Sequence, residues 1–454
     1  MGLGGGEMGD CGMSNVHRWT ESYRNKQRDM EAAIRALPKN AAIIMGMASM
    51  ETQGFMGQVH KHADHFEHLR VLSCLNLKNY DFCEDPRYEG TFINENWFYG
   101  PSNRKAAAAG YKLVDFIPNN LHQSGTHKIR ALKEQGATIV YWGPATPLQE
   151  DSGFFNLGVS NVYEMETIEA ADIVVLEVNR QVPWIHGDTN VHLSQVDMVV
   201  EYDSPLPQIP ILEPGPVEQQ IAEHIAPLVG DGATLQIGIG GIPNAVAALL
   251  GHKKDLGVHT EMFTESMIGL FEAGAITNRK KTLWPGKFVF TFALGSSAMY
   301  RWLDNNPAVL ELRGNYVNDP YVIAQNDNMV SINTALSVDL TGQVCSESIG
   351  PVQYSGTGGQ LDTHRGAQKA RNGRGIIALR STAKKGTIST ISSMLAPGSA
   401  VTVPRQDVDW VVTEYGAVHL QGRTAGERAR ALISIAHPDH RTMLTAEAEK
   451  IGYL

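Results

Sequence analysis

The sequence predicts an α/β protein with two open α/β domains, each built on a mostly parallel sheet. Short apolar runs alternate with stretches of helix-forming composition along the whole chain. These runs are continuous in Val, Ile and Leu, which is typical of parallel strands buried on both faces. The chain has 454 residues, too many for one compact core at about 150 residues per domain. Two domains of similar size are therefore expected.

The first domain is predicted to span residues 15–210, after a flexible, glycine-rich lead at residues 1–14. Its strands are expected in six apolar runs, at residues 41–48, 69–75, 112–117, 137–142, 171–178 and 198–202. Helices are expected from composition at residues 30–37, 103–110, 124–136 and 163–170. This order of strands and helices favours a parallel sheet.

The domain boundary is predicted within residues 203–216, where clustered prolines remove backbone donors and favour an extended connector. The second domain, residues 211–454, is expected to begin with a helix at residues 217–228. Its predicted strands follow at residues 234–237, 257–260, 288–294, 330–333, 375–380, 386–389 and 408–412. We find no internal sequence similarity strong enough to define a repeat.

Composition narrows the range of functions. The formal charge of −10 comes without a basic stripe, so nucleic acid is not expected as a partner and small molecules are. No run approaches the length of about 18 apolar residues that a membrane span needs. The cysteines are widely spaced and form no C-x-x-C pair, which favours a reducing, cytoplasmic location over a disulfide framework or a zinc site. They are Cys11, Cys74, Cys83 and Cys345.

A glycine loop at residues 238–242 lies between a predicted strand and a predicted helix. Backbone N–H groups at such a helix start can bind an anion or stabilise a developing oxyanion. The loop also resembles a dinucleotide-binding fingerprint, since an acidic residue follows about 20 residues later. Pro243 stands where that fingerprint needs its third glycine, which counts against this alternative. A tight turn without a ligand is the remaining interpretation.

A second glycine loop occupies residues 355–360 and reads SGTGGQ. Closely spaced glycines let the backbone approach a ligand, and paired amides here can form another wall of a site. A single dinucleotide-binding unit has no use for this loop. An exposed loop without function is the alternative.

Glu261 follows the predicted strand at residues 257–260, at the strand end where ligand sites of open α/β sheets gather. A carboxylate at this position can act as a nucleophile. The alternatives are an N-cap for the next helix and, in an NAD-dependent oxidoreductase, a ribose ligand.

Four histidines, His60, His62, His65 and His68, are not predicted to bind metal, because no carboxylate or cysteine pattern with a known ligand spacing accompanies them. A solvated surface is favoured for them. The sequence predicts no metal site.

Several motifs together resemble the acetyl-CoA hydrolase and CoA-transferase family, most closely its branch of 4-hydroxybutyrate and butyrate:acetate CoA-transferases. The motifs include GIGGIPNAV at residues 238–246, GVHTEMFTES at 257–266, VNDPYVIAQN at 317–326, SGTGGQLD at 355–362 and STAKKGTIS at 381–389. The resemblance is specific over residues 137–445 and weaker before them.

The resemblance implies two α/β domains of the CoA-transferase type, with the catalytic glutamate in the second. It implies a ping-pong reaction in which Glu261 forms an acyl anhydride and then a glutamyl-CoA thioester. Asn318, Gly359 and Glu414 are the implied oxyanion and supporting residues. The residues implied to bind CoA are Gly238, Ile239, Gly240, Gly241, Ile242, Gly358, Gly359 and Lys384.

The implied substrates are a short-chain acyl-CoA (4-hydroxybutyryl-, butyryl- or a related dicarboxylic acyl-CoA) and a carboxylate such as acetate or succinate. Coenzyme A is then a substrate, no prosthetic group or metal is permanently bound, and a homo-oligomer is expected. Residues 45–57 and 182–188 differ from the pattern usual in relatives, so a different acyl group is possible if they line the acyl pocket. An acyl-CoA hydrolase and a CoA-binding regulator without turnover remain alternatives.

Overall fold

A computed structural model describes residues 13–454 of the chain. Residues 1–12 of the predicted flexible lead, including Cys11, lie outside the described part. No helix among the described residues is both long and apolar enough to cross a membrane.

The first half of the chain alternates strands and helices as the sequence predicts. Its strands are β1 Ala42–Met45, β2 Leu69–Ser73, β3 Phe92–Asn96, β4 Val114–Phe116, β5 Ile139–Ala145, β6 Phe154–Asn156, β7 Ile173–Val178, β8 Asn190–His192 and β9 Met198–Glu201. Its helices are α1 Met13–Lys26, α2 Met30–Arg35, α3 Gln53–Met56, α4 Asp81–Glu84, α5 Pro101–Ala108, α6 Ser124–Glu134 and α7 Glu164–Ala170.

Seven of these strands form one sheet in the order β4-β3-β2-β1-β5-β7-β9. Every neighbouring pair in it is parallel. The central strands β1 and β5 are buried along their whole length, which is why they are continuous apolar runs in the sequence. The sheet contains all six strands predicted for this half.

Strand β3 was not predicted, because its sequence Phe-Ile-Asn-Glu-Asn lacks an apolar run. Its amide side chains are buried but hydrogen-bonded: Asn94 Nδ2 donates to Val71 O at 3.2 Å and to Ser73 Oγ at 2.8 Å. Asn96 Nδ2 donates to the same Ser73 oxygen at 2.9 Å. This network lets polar residues occupy an interior strand.

The second half starts after an extended connector at residues 202–215. Its helices are α8 Pro216–Ile225, α9 Gly241–Leu249, α10 Glu265–Glu272, α11 Ser297–Leu303, α12 Gly314–Val317, α13 Pro320–Ile323, α14 Gln360–Lys369, α15 Ala425–Ser434 and α16 Pro438–Ile451. Short 3-10 turns across both halves are Ala48–Met50, Val59–His65, Pro86–Tyr88, Leu121–Gln123, Leu193–Gln195 and Ala226–Leu228.

The strands of this half are β10 Thr234–Ile237, β11 Gly257–Val258, β12 Met262–Phe263, β13 Phe288–Phe290, β14 Phe292–Ala293, β15 Val309–Glu311, β16 Met329–Thr334, β17 Ser337–Asp339, β18 Val344–Cys345, β19 Ser348–Ile349, β20 Val352–Gln353, β21 Arg374–Ala378, β22 Thr382–Ala383, β23 Ile388–Ser389, β24 Ile391–Ser392, β25 Trp410–Thr413 and β26 Gly416–His419. Six of them form a sheet in the order β11-β10-β16-β21-β25-β26. Only its last pair, β25 with β26, is antiparallel. The predicted fold class, α/β with mostly parallel sheets, is confirmed.

Two predicted strands of this half lie outside the six-stranded sheet. Residues 288–294 form two short strands, β13 and β14, that pair with β15 and β12 respectively. Strand pairing is interrupted at Thr291. The N–H groups of Thr291 and Phe292 both donate to Glu261 O, at 3.0 and 3.2 Å. Residues 386–389 contribute only strand β23 of a two-stranded hairpin with β22.

The two halves pack against each other through a shared apolar cluster. It joins Ile44 and Leu72 of the first sheet to Met262, Phe292 and Leu294 of the second half. Backbone hydrogen bonds cross the same junction. Cys74, which directly follows β2, and Met262 of β12 therefore lie in one cluster at this junction.

Candidate active site

Glu261 lies at this junction, between β11 and β12. Its backbone oxygen is fixed by the N–H groups of residues 291 and 292, so the position of its side chain is set by the fold. The Asn318 side-chain amide donates to Glu261 Oε2 at 2.7 Å. The backbone N–H of Gly359 donates to the same carboxylate. Glu261 is not an N-cap, since Thr264 occupies that position for α10.

Asn318 is fully buried and ends helix α12. Its Oδ1 has no hydrogen-bond partner among the described residues, so the side chain is held mainly by its contact with Glu261. The next residue, Asp319, caps helix α13 by accepting from Tyr321 N at 2.8 Å. The turn at these residues aims Asn318 at the carboxylate.

The loop at residues 355–359 brings Gly359 against Glu261. An added Cβ at Gly359 would overlap both Glu261 Oε2 and Asn318 Nδ2, so only glycine fits. The loop is tied to the first half, because Tyr99 N donates to Ser355 O at 3.2 Å and Leu121 N to Gly358 O at 3.1 Å. The two halves together therefore place the second donor.

Burial raises the pKa of Glu261 to about 7. The hydrogen bond from Asn318 counteracts this rise, the charge of Asp362 adds to it, and the Gly359 N–H lowers the pKa again. A carboxyl group with a pKa near neutrality is suited to change between a protonated and a nucleophilic form at physiological pH.

A second carboxylate, Asp362, lies on α14 behind this site. It accepts from His122 Nδ1 at 2.8 Å and from His122 N at 3.1 Å. Burial raises the pKa of Asp362, and the contacts with His122 oppose that rise. Burial lowers the pKa of His122, but the hydrogen bond and charge of Asp362 outweigh it and the net shift is upward. The sequence singled out neither residue as part of a site, because they lie 240 positions apart.

A cavity of about 250 Å³ opens in front of Glu261. Gly238 and Gly358, predicted as binding residues, line it. Five lining residues come from the first half and were not predicted, although one of them, Met47, lies in the divergent segment at residues 45–57. These additional residues include Met47, Cys74, Leu75, Phe98 and Leu121. The other divergent segment, residues 182–188, does not line this cavity.

Lys384 and Glu414 lie at a different cavity, of about 470 Å³, which also has Gly240, Gly241 and Ile242 on its wall. Glu414 accepts from Ser381 N at 2.9 Å and from Ser381 Oγ at 2.6 Å, so it supports the loop that carries Lys384. Cations border this cavity at Arg380, Lys384 and Lys385. Neither Lys384 nor Glu414 contacts Glu261.

Ile239 borders both cavities, so the glycine loop separates the carboxylate from the cationic wall. Gly240 precedes helix α9 with φ of +116°, a backbone conformation that favours glycine. The helix begins at Gly241, two residues before its predicted start. The first N–H groups of α9 have no acceptor within the helix and are available to an anion.

The histidines at residues 60–68 lie in and around a short 3-10 turn, where His65 Nε2 contacts Leu37 O at 2.9 Å. No group of three or more His, Cys, Asp or Glu suited to hold a metal ion occurs within residues 13–454. The site is a buried carboxylate with amide donors in an α/β fold, an arrangement suited to nucleophilic group transfer.

Comparison with known proteins identifies the family. The acetyl-CoA hydrolase/transferase N-terminal domain matches residues 13–211, and the C-terminal domain of the same family matches residues 295–448. The chain is 40% identical over 433 residues to 4-hydroxybutyrate coenzyme A transferase of Clostridium kluyveri, covering 95% of this chain and 99% of that protein.

Two further relatives agree. The succinyl-CoA:cyclohexane-1-carboxylate CoA transferase of Geobacter metallireducens is 46% identical over 356 residues, which cover 78% of this chain and 80% of that protein. The crystal structure of RipA from Yersinia pestis matches with a TM-score of 0.89 and 36% identity, covering 96% of this chain and all of that one (100%).

The chain belongs to the acetyl-CoA hydrolase/transferase family. It is an enzyme of the CoA-transferase class, which moves CoA between acyl-CoA and carboxylate substrates. The resemblance drawn from the motifs is confirmed, and the dinucleotide-binding alternative for the glycine loop is not supported.

Proposed function

We propose that the enzyme transfers CoA from a short-chain acyl-CoA, such as butyryl- or 4-hydroxybutyryl-CoA, to a carboxylate such as acetate through covalent intermediates on Glu261. The observation that carries this proposal is the pair of N–H donors, from Asn318 and Gly359, that converge on one buried carboxylate. Donors placed in this way can stabilise the negative charge of a tetrahedral intermediate without reorganising.

In the first half-reaction a carboxylate oxygen of Glu261 attacks the thioester carbonyl. The carbon–sulfur bond breaks, CoA leaves as a thiolate, and a mixed anhydride remains. The thiolate then attacks the glutamyl carbonyl, which releases the acyl group as a free carboxylate and leaves a glutamyl-CoA thioester. An acceptor carboxylate repeats these steps in reverse, so the reaction is ping-pong.

We assign CoA to the cationic cavity beside the glycine loop. Lys384 and Lys385 border it, and the start of α9 faces it, so phosphate groups meet positive charge from two sources. Arg380 also borders the cavity but is paired with Glu218. The pantetheine arm then passes Ile239 to reach Glu261. Holding the thioester in this way supplies the orientation on which such transfer depends.

We also propose a cytoplasmic location and a homo-oligomer of two or more subunits. The described cysteines, Cys74, Cys83 and Cys345, are all free and buried, which fits a reducing compartment. The oligomer rests on the family resemblance alone. Light scattering of the purified protein tests it, and a mass of one chain would contradict it.

The decisive experiment for the function follows loss of butyryl-CoA with and without acetate. We expect loss to depend on acetate and acetyl-CoA to appear in equal amount. Glu261→Gln abolishes exchange, whereas the control Glu265→Gln, four residues after Glu261 and at a side chain that accepts from Ser296 N, retains it. Acetate-independent loss of butyryl-CoA would instead identify a hydrolase, and tight binding without exchange a regulator.

A further inference from the structure

The cavity of about 250 Å³ in front of Glu261, called the chamber below, has walls of two kinds. Gln236, Asn333, Thr334, Ser346 and the glycine loops supply polar groups to one part of it, and apolar side chains line the rest. The apolar side chains are Met47, Cys74, Leu75, Phe98, Leu121, Ile237, Ile239, Met262 and Phe292. The reacting carboxylate or thioester belongs next to the amide donors, so the rest of the acyl group must extend along the apolar wall.

The chamber offers no positive charge to a substrate. Among the described residues that line it, none is a lysine, arginine or histidine. His122 contacts Asp362 beside the site and is already paired with that carboxylate. Asp362 itself adds negative charge near Glu261, whose pKa it helps to raise. A second carboxylate on the substrate would therefore be desolvated without a cationic partner.

Leu75 has an unusual backbone in this wall. It follows β2 with φ of +53°, a region that leucine rarely adopts, and its N–H donates to Phe98 O at 3.1 Å. Backbone strain of this kind persists only where the surrounding structure imposes it, and it concentrates at functional sites. Here it holds a leucine side chain against the chamber.

We propose that the chamber selects neutral, apolar acyl groups over those that carry a second carboxylate, and that Leu75 is a specificity-determining residue. This inference rests on the proposed function and names the substrate class for that same site. It favours butyryl-type groups over the dicarboxylic alternative that the sequence left open.

Butyryl-CoA and succinyl-CoA provide a direct test, since their acyl groups have equal carbon number and differ in one terminal charge. With acetate as acceptor, we expect kcat/KM for butyryl-CoA to exceed that for succinyl-CoA by at least about tenfold. Equal values, or a preference for succinyl-CoA, would overturn the inference while leaving the transferase function intact. If neither is consumed with acetate, the proposed function itself fails.

A charge-introducing variant tests the role of Leu75. Leu75→Lys should shift the succinyl-to-butyryl ratio of kcat/KM upward by at least about tenfold, because an ammonium group can pair with the second carboxylate. Val352→Lys is the matched control, since it adds the same charge at a site 60% exposed and outside the chamber. An unchanged ratio in a folded Leu75→Lys protein would exclude Leu75, and the wild-type comparison stands without this variant.

Discussion

At the scale of single residues, the reactivity of the site depends on how Glu261 is held. The sequence predicted Glu261, Asn318 and Gly359 as one constellation through family motifs, and the structure brings the three together. The sequence could not predict that Asp362 and His122 lie behind these three residues, because no motif marks a pair so distant in sequence. Burial and these neighbours together set the pKa of the carboxyl group.

The first prediction concerns pH. Burial raises the pKa of Glu261 to about 7, and the carboxylate is the nucleophile, so kcat/KM should rise with pH up to that value and level off above it. The elevated pKa also means that ionising Glu261 destabilises the fold as pH rises toward 7. Measuring kcat/KM from pH 5 to 9 tests the activity profile.

Asp362→Asn should move this profile to lower pH, since it removes a negative charge that raises the pKa of Glu261. Glu265→Gln serves as the control and should leave the profile in place. A profile that is flat between pH 5 and 8 in the wild type would show that Glu261 does not control the rate.

Asn318→Ala removes one of the two donors to the carboxylate. Loss of a single oxyanion donor typically reduces kcat by about 10²–10³-fold, and we expect a loss of this size. Stopped-assay kinetics with butyryl-CoA and acetate measure it. A variant with wild-type kcat would remove Asn318 from the reaction.

At the scale of elements, the strands that are continuous apolar runs were predictable, and those that are not were missed. Strands β1, β5 and β7 follow directly from their sequences, whereas the buried strand β3 depends on amide hydrogen bonds to Ser73 that composition does not reveal. Residues 288–294 look like one strand, but bonds from Thr291 and Phe292 to Glu261 O divide them. That division is what places Glu261.

The loop at residues 355–359 gives the prediction at this scale. Gly359→Ala places a methyl group where Glu261 and Asn318 meet, so activity should fall by at least about 10²-fold while the fold remains. Gly230→Ala is the matched control, because a methyl group there meets no atom within 4 Å. Circular dichroism should be unchanged in both variants, and an active Gly359→Ala protein would contradict the geometry.

At the scale of the whole molecule, the site exists only where the two halves meet. The second half contributes Glu261 and its donors, and the first half contributes most of the apolar wall of the chamber. Family motifs in the second half predicted Glu261 and its donors. The apolar wall depends on how two separate sheets pack, and local sequence patterns do not encode that packing.

His122 and Asp362 join the halves, and this pair gives the stability prediction. His122→Ala leaves a buried carboxylate without its side-chain partner, which should destabilise the protein by about 1–3 kcal/mol. Urea unfolding at pH 6 measures this loss. Because the pKa of His122 is raised, its contribution should be complete well below pH 6.5 and decline as pH rises past its folded value. An unchanged urea midpoint at pH 6 would contradict the role of the pair.

The central claim is that Glu261 carries the transferred group covalently. Incubation with butyryl-CoA in the absence of an acceptor, reduction with borohydride and mass spectrometry of the peptides test it most directly. We predict a mass change confined to the peptide that contains Glu261 and absent from Glu261→Gln. An unmodified Glu261 in a preparation that turns over with acetate would contradict the account.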